Sequence, residues 1–176
     1  MLLISLKELE HKEYHAHAHN LLRECLKVHG IVYTDDTPIT KNDMGKPSLT
    51  EHPRIHYNLS HAKGIAACIV TDRECGIDCE QVRKCSKGVM RRAFTEKERA
   101  LVEGLPVEEQ DLMFTRLWTL KESYVKAIGI GVSYPMDTVE FSFDGDSIVT
   151  GVRDCSFRHY LIKGGKYVVS VCLLDR

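Results

Sequence analysis

Residues 116–131, RLWTLKESYVKAIGIG, constrain the fold more than any other stretch. Apolar side chains recur at Leu117, Leu120, Tyr124 and Ile128, with Val125 beside them. That is the spacing of a helix with one buried face. Pro106 suits the start of this helix, and Gly129-Ile130-Gly131 closes it and turns the chain. This glycine pair is no phosphate loop, because it lacks the Gly-Lys-Ser/Thr ending and follows a helix rather than opening one. Glu122 and Lys126 stand four residues apart and so share a face of the helix. Taken alone, such a pair reads as a solvated ion pair that stabilises a helix slightly.

A second stretch gives the pair more weight. The hydrophobic run Gly64 to Val70 is followed by a turn at Thr71-Asp72-Arg73 and then by Gly76-Ile77-Asp78-Cys79-Glu80, which reads as the second strand of a hairpin. Asp78 and Glu80 are two apart, so on a strand both carboxylates point to the same face. Two like charges side by side cost energy unless a cation sits between them. Asp78, Glu80 and Glu122, with Lys126 nearby, therefore form a candidate magnesium site that leaves room for water and phosphate.

Gly76-Ile77-Asp78-Cys79-Glu80 followed by Trp118-Thr119-Leu120-Lys121-Glu122-Ser123-Tyr124-Val125-Lys126 resembles the paired signature of the 4′-phosphopantetheinyl transferases, in the surfactin-synthetase-activating type that carries both halves of the active site in one chain. Gly45-Lys46-Pro47, Tyr57-Asn58-Leu59-Ser60-His61 and Phe94-Thr95-Glu96-Lys97-Glu98 agree as well, so the resemblance runs from about residue 45 to about residue 137. It implies an α+β fold of two similar lobes, each an antiparallel sheet packed with a long helix, forming a pseudo-dimer. The lobes are expected at residues 1–75 and 76–176, with the active site between them. It implies transfer of the 4′-phosphopantetheine arm of coenzyme A to a serine of an acyl or peptidyl carrier domain, leaving adenosine 3′,5′-bisphosphate. Asp78, Glu80 and Glu122 are then the magnesium ligands, and Lys126 and Lys121 contact phosphate. Lys46, Ser60 and His61 bind the 3′-phosphate of coenzyme A, helped by N-terminal basic residues among which His19, Arg23 and Lys27 are candidates. The base that takes the serine proton is Glu122, a magnesium-bound water or Glu98.

The remaining sequence frames this reading. A net charge of −1 gives no reason to expect a nucleic-acid partner. No apolar run approaches the roughly 20 residues of a membrane span, and the first residues lack the features of a signal peptide, so a cytoplasmic monomer without membrane or nucleic-acid contacts is expected. The odd count of seven cysteines argues for free thiols, and no Cys-x2-Cys pair marks a zinc site. His15, His17 and His19 alternate, which on a helix does not put neighbours of the series on one face. Arg83, Lys84, Lys87, Arg91 and Arg92 form a basic cluster between the two main motifs. If helical, Lys84, Lys87 and Arg91 share a face that would suit an acidic carrier domain. Two other classes stay open: a zinc-binding protein built on the His and Cys residues, and a module that holds coenzyme A without transferring it.

The elements expected in order are a first strand near Met1–Leu6, a helix over Lys12–Val28, and a polar, turn-rich stretch from Thr34 that leads into a loop at Pro47. Strands follow at Ile55–Leu59, Ile65–Val70 and Ile77–Val82. Then come helices over Ser86–Ala93 and Glu96–Val102, the latter with a capping box of Thr95 and Glu98. The long helix and four strands near 138–143, 147–152, 157–162 and 167–174 complete the chain, with a hairpin turn at Gly164-Gly165.

Overall fold

The structure, a computed structural model, describes residues 1–175. It is an α+β fold whose two halves run through the same order of elements. The first half holds strand β1 (Leu2–Leu6), helix α1 (Glu13–Val28), a hairpin of β2 (Ile39–Lys41) and β3 (Pro47–Leu49), and strands β4 (His56–Ala62) and β5 (Ile65–Thr71). The second holds β6 (Cys75–Gln81), helices α2 (Lys87–Ala93), α3 (Glu96–Glu103) and α4 (Val107–Ile128), a hairpin of β7 (Phe141–Asp144) and β8 (Ser147–Thr150), and strands β9 (Cys155–Ile162) and β10 (Tyr167–Leu174). The antiparallel sheets are ordered β1-β5-β4 and β6-β10-β9, so in each the last strand lies between the other two.

Alternation along the strands explains the layering. Ile65, Ala67 and Ile69 of β5 pack against Cys75, Ile77 and Cys79 of β6 and Val169 and Val171 of β10, so the sheets meet face to face. The opposite side chains of β5, Cys68 and Val70, pack on Leu22, Cys25 and Leu26 of α1. The opposite side of β6, carrying Gly76, Asp78 and Glu80, faces α4. A Cβ on Gly76 would overlap the carbonyl oxygen of Ser123 and the amide nitrogen of Ala127, so only glycine lets the α4 backbone rest directly on the strand. The largest apolar cluster, with Phe94, Phe114, Leu117, Leu120 and Phe141, gathers α2, α3 and β7 around α4.

Four expectations need correction. β6 does not pair with β5 as a hairpin; it crosses to the second sheet and pairs with β10, Asp78 opposite Ser170. β4 continues through Ser60 and His61, so the expected turn at residues 60–64 shrinks to Lys63-Gly64. Inside the stretch expected to be turns and loop, β2 and β3 pair, with Pro47 at the first residue of β3, where no ladder donor is lost. The Thr95/Glu98 capping box forms, and Gly129 closes α4 in the left-handed region with φ 71°. Lys84 precedes α2, which leaves Lys87 and Arg91 as the basic pair on one helical face.

Candidate active site

Asp78 is the centre of the polar cluster between β6 and α4. Its Oδ1 accepts from Lys126 Nζ at 2.6 Å and from Ser60 Oγ at 3.0 Å. Its Oδ2 is buried without a partner. Ser60 Oγ in turn accepts from the Cys79 amide at 3.1 Å and is 3.3 Å from Lys126 Nζ. Ser60 comes from β4 of the first sheet, and Asn58 beside it accepts from the Ile77 amide at 2.8 Å. Side chains of β4 thus supply acceptors to backbone amides of β6 where the sheets adjoin.

Glu80 and Glu122 flank this centre, both half-buried. Burial, then the Asp78 charge, pushes the Glu80 carboxyl up to about 7. The same two causes raise Glu122. Burial works to lower the Lys126 ammonium, but the Asp78 carboxylate outweighs it and the group is raised. Three crowded carboxylates with one orphaned oxygen are short of positive charge. Among the described residues, no group of three or more His, Cys, Asp or Glu side chains comes together so as to hold a metal ion by itself. Magnesium does not require one, since it is commonly held by one or two carboxylates together with water and substrate phosphates. The oxygen donors and the free Asp78 Oδ2 fit that mode. The seven cysteines are free and meet at most in pairs, such as Cys25 with Cys68 and Cys155 with Cys172, so the zinc alternative finds no ligand set among the described residues.

Lys121 and Glu98 lie elsewhere. Lys121 is fully buried, and Nζ is bonded to Glu98 Oε2 at 2.8 Å and to the carbonyl oxygens of Met136 at 2.7 Å and Val139 at 2.5 Å. An ammonium has three donors, and all three are used. Glu98 accepts from the Thr95 and Phe141 amides as well. The expectations that Lys121 touches phosphate and that Glu98 serves as base are therefore corrected: both side chains close the turn between α4 and β7 from the inside and expose no surface to a ligand.

A directional chain of hydrogen bonds holds α4 to the second sheet. Ser170 sits opposite Asp78 on one side and His159 on the other. Arg116 Nε donates to His159 Nε2 at 3.1 Å. Arginine has no acceptor, so His159 carries its proton on Nδ1 and donates it to Ser170 Oγ at 3.0 Å. Ser170 then donates to Thr119 Oγ1 at 2.8 Å, and Thr119 donates to the Arg116 carbonyl at 3.1 Å, which closes the ring. Burial, then the Arg116 charge, lowers His159 to about 4, so it stays neutral.

On the first-half side lies a cleft of about 510 Å³ lined by His15, His19, Tyr33, Lys41, Tyr57 and His61. Through Gly45, Pro47 and Asn58 it adjoins a smaller cavity of about 200 Å³ that reaches Lys126. The His15 and His19 rings lie 4.5 Å apart between centroids, and those of His15 and His61 lie 6.3 Å apart. Burial and the charge of His15 lower both His19 and His61. The helical spacing of His15 and His19, four apart, puts them on one face, a signal masked by the alternation with His17, which turns away to Ser5. Lys41 went unmarked because β2 is too short to read. Of the other expected anion contacts, Ser60 is occupied by Asp78, and Lys46 is tied to Glu74 and to the Ala127 carbonyl, with its side chain only 15% exposed. Arg23 pairs with Asp35 at 2.7 Å, and neither Arg23 nor Lys27 lines the cleft. On the other side of α4, Glu122 opens onto a groove of about 230 Å³ between Val89, Arg92, Trp118, Tyr134 and Met136, with Lys84, Lys87 and Arg91 exposed nearby.

The sequence profile of the 4′-phosphopantetheinyl transferase superfamily matches residues 74–172. The 4′-phosphopantetheinyl transferase Sfp of Bacillus subtilis is 28% identical over 142 residues, covering 78% of this chain and 63% of its own length. The 4′-phosphopantetheinyl transferase HetI of Nostoc sp. is 32% identical over 130 residues, covering 70% and 55%. The chain thus spans between 35% and 63% of the length of the curated relatives it matches here. A crystal structure of Thermotoga maritima holo-[acyl-carrier-protein] synthase (AcpS) shares 21% identity and a TM-score of 0.48, over 58% of this chain and 63% of that one. With the profile extending from β6 to β10, over more than half its length, the chain belongs to the 4′-phosphopantetheinyl transferase superfamily.

Proposed function

We propose that this chain transfers the 4′-phosphopantetheine group of coenzyme A to a serine hydroxyl of a carrier-protein domain and releases adenosine 3′,5′-bisphosphate. One observation carries the proposal: the orphaned Asp78 Oδ2 lies in a carboxylate cluster bonded to Lys126, and Lys126 also lines the cavity leading to an imidazole-lined cleft. The cleft suits the 3′-phosphate, since His15, His19, His61 and Lys41 all donate to phosphate oxygens. Their proximity to one another is costly when all are charged, and a dianion among them removes that cost. Lys126 lines the cavity, unlike the fully buried Lys121, and would hold the pyrophosphate by giving up its long contact with the Ile77 carbonyl at 3.2 Å.

Asp78, Glu80 and Glu122 would hold magnesium, which when bound neutralises the charge that develops on the pyrophosphate oxygens. The incoming serine oxygen forms a bond to the phosphorus that bears the pantetheine arm. The bond from that phosphorus to the bridging oxygen breaks, and the nucleotide leaves with the electron pair. The serine proton must go to a base. Glu122 is the carboxylate that faces the groove open to the partner, and burial, then the Asp78 charge, raises its affinity for a proton, as a proton acceptor needs. Trp118, Val89 and Tyr134 offer apolar surface to the carrier, with Lys84, Lys87, Arg91 and Arg92 at the rim for its acidic side chains. Both walls of the site, residues 1–75 and 76–176, come from one chain, so the active form is a monomer. The seven free thiols suit the cytoplasm.

The test is intact mass of an apo carrier protein after incubation with this chain, coenzyme A and magnesium. Addition of the phosphopantetheine mass is expected. No mass change on fatty-acid, polyketide and peptide-synthetase carriers alike would overturn the proposal.

A further inference from the structure

Ser60 belongs to the first sheet, yet its hydroxyl is spent wholly on the second. It donates to Asp78 Oδ1 at 3.0 Å, accepts from the Cys79 amide at 3.1 Å and lies 3.3 Å from Lys126 Nζ. A hydroxyl has one proton and two lone pairs, so nothing remains for a phosphate oxygen. The side of Asp78 that Ser60 touches is also the side that Lys126 touches. The two carboxylate oxygens are thereby made unequal: Oδ1 takes two donors, and Oδ2 is buried with none. A buried oxygen left unsatisfied costs about 1–3 kcal/mol. Rotation of the carboxylate would share the donors between the two oxygens, and Ser60, itself anchored by the Cys79 amide, opposes that rotation.

We propose that Ser60 is a positioning residue, which locks the Asp78 carboxylate so that Oδ2 alone is presented to the divalent cation. This rests on the magnesium reading above. It sets Ser60 apart from His61, its neighbour on the strand, whose ring turns to the imidazole cleft.

Manganese is the probe. Its binding is read by electron paramagnetic resonance of the free ion and by fluorescence of Trp118, the single tryptophan, which lies against Glu80. Ser60→Ala is expected to weaken manganese binding about tenfold or more. Ser60→Thr, which keeps the hydroxyl, should recover most of it. Ser60→Cys, a weaker donor of similar size, should fall between and serves if the alanine variant does not fold. Coenzyme A binding measured in EDTA should be unchanged in all three. Asn58→Ala removes the other inter-sheet bond, to the Ile77 amide at 2.8 Å, without touching Asp78, and should keep native manganese affinity. Equal weakening in Asn58→Ala would reduce Ser60 to a sheet fastener and overturn the role. So would native manganese affinity in Ser60→Ala, or loss there of the preference for coenzyme A over dephospho-coenzyme A, which would return Ser60 to the phosphate. Manganese binding in the native chain that is indifferent to Asp78→Asn would overturn the magnesium reading itself, and this role with it.

Discussion

β1 and β6 hold the same place in their halves, and so do α1 and α4, but the residues at the strand–helix contact differ in kind. In the first half Ser5 of β1 meets His17 of α1 at 2.8 Å. In the second, Asp78 of β6 meets Lys126 of α4 at 2.6 Å. A hydroxyl and an imidazole satisfy each other without any call for further charge. A carboxylate and an ammonium, with Glu80 and Glu122 alongside, leave a negative surplus and one unpaired oxygen. The same architecture therefore makes a passive wall in one half and a cation-seeking centre in the other. The first half contributes to the site from its edge instead, through Ser60 on β4 and through the outer imidazoles of α1.

The largest effect should come from erasing the charged contact. If the proposed transfer holds, Asp78→Ala should lower carrier modification by about 10³-fold, since a cation bound there would supply several kcal/mol of charge stabilisation. Ser5→Ala should alter the rate less than about twofold, because Ser5 and His17 touch each other and line neither the cleft nor the cavity that reaches Lys126. Mass-based rate measurements on both variants decide the matter, and comparable losses would erase the functional asymmetry between the halves.

The halves also differ in what stabilises them. Both rely on apolar packing, but the second also encloses the Lys121–Glu98 pair at 2.8 Å. Lys121→Ala leaves Glu98 charged and buried and should cost about 3–5 kcal/mol in urea unfolding. A loss below 1 kcal/mol would show that the pair is not buried as described.

A slightly smaller effect concerns acid. His159 titrates near 4 when folded and near 6.5 when unfolded. Its folded pKa is depressed, so the unfolded chain takes the proton first as pH falls. The stabilisation is complete above about 6.5 and is lost progressively down to about 4, on the order of 3 kcal/mol in all. His19 and His61 shift in the same direction but stand closer to solvent. Amide exchange at decreasing pH should open β9 and β10 before β4 and β5, and His159→Gln should flatten the profile. Simultaneous opening of both sheets would remove this distinction.

Much of this was legible in the residues alone, and what was not has identifiable causes. α1, α4 and β10 follow from apolar periodicity, and Asp78, Glu80, Glu122 and Lys126 follow from spacing on a strand and a helix. The partner of β6 leaves no local trace, because Asp78 and Ser170 are brought together only by the closed sheet. β2 and β3, three residues each, are shorter than any readable alternation. Lys121 and Glu122 are adjacent in one motif and look equally available. The turn of the helix puts the first among Phe94, Met136 and Val139 and the second at the groove, and no rule of charge distinguishes them before the loop after α4 is in place.

The contact at Gly76 bears on how such a site can change over time. Because the helix backbone rests on the strand with no side chain between, the span from Asp78 to Lys126 is gauged by the thickness of two peptide chains rather than by the fit of deformable side chains. Substitutions in the surrounding core can be absorbed without altering that gauge. Drift in sequence is thereby channelled to the cleft and the groove, while the contact between Asp78 and Lys126 keeps its dimensions.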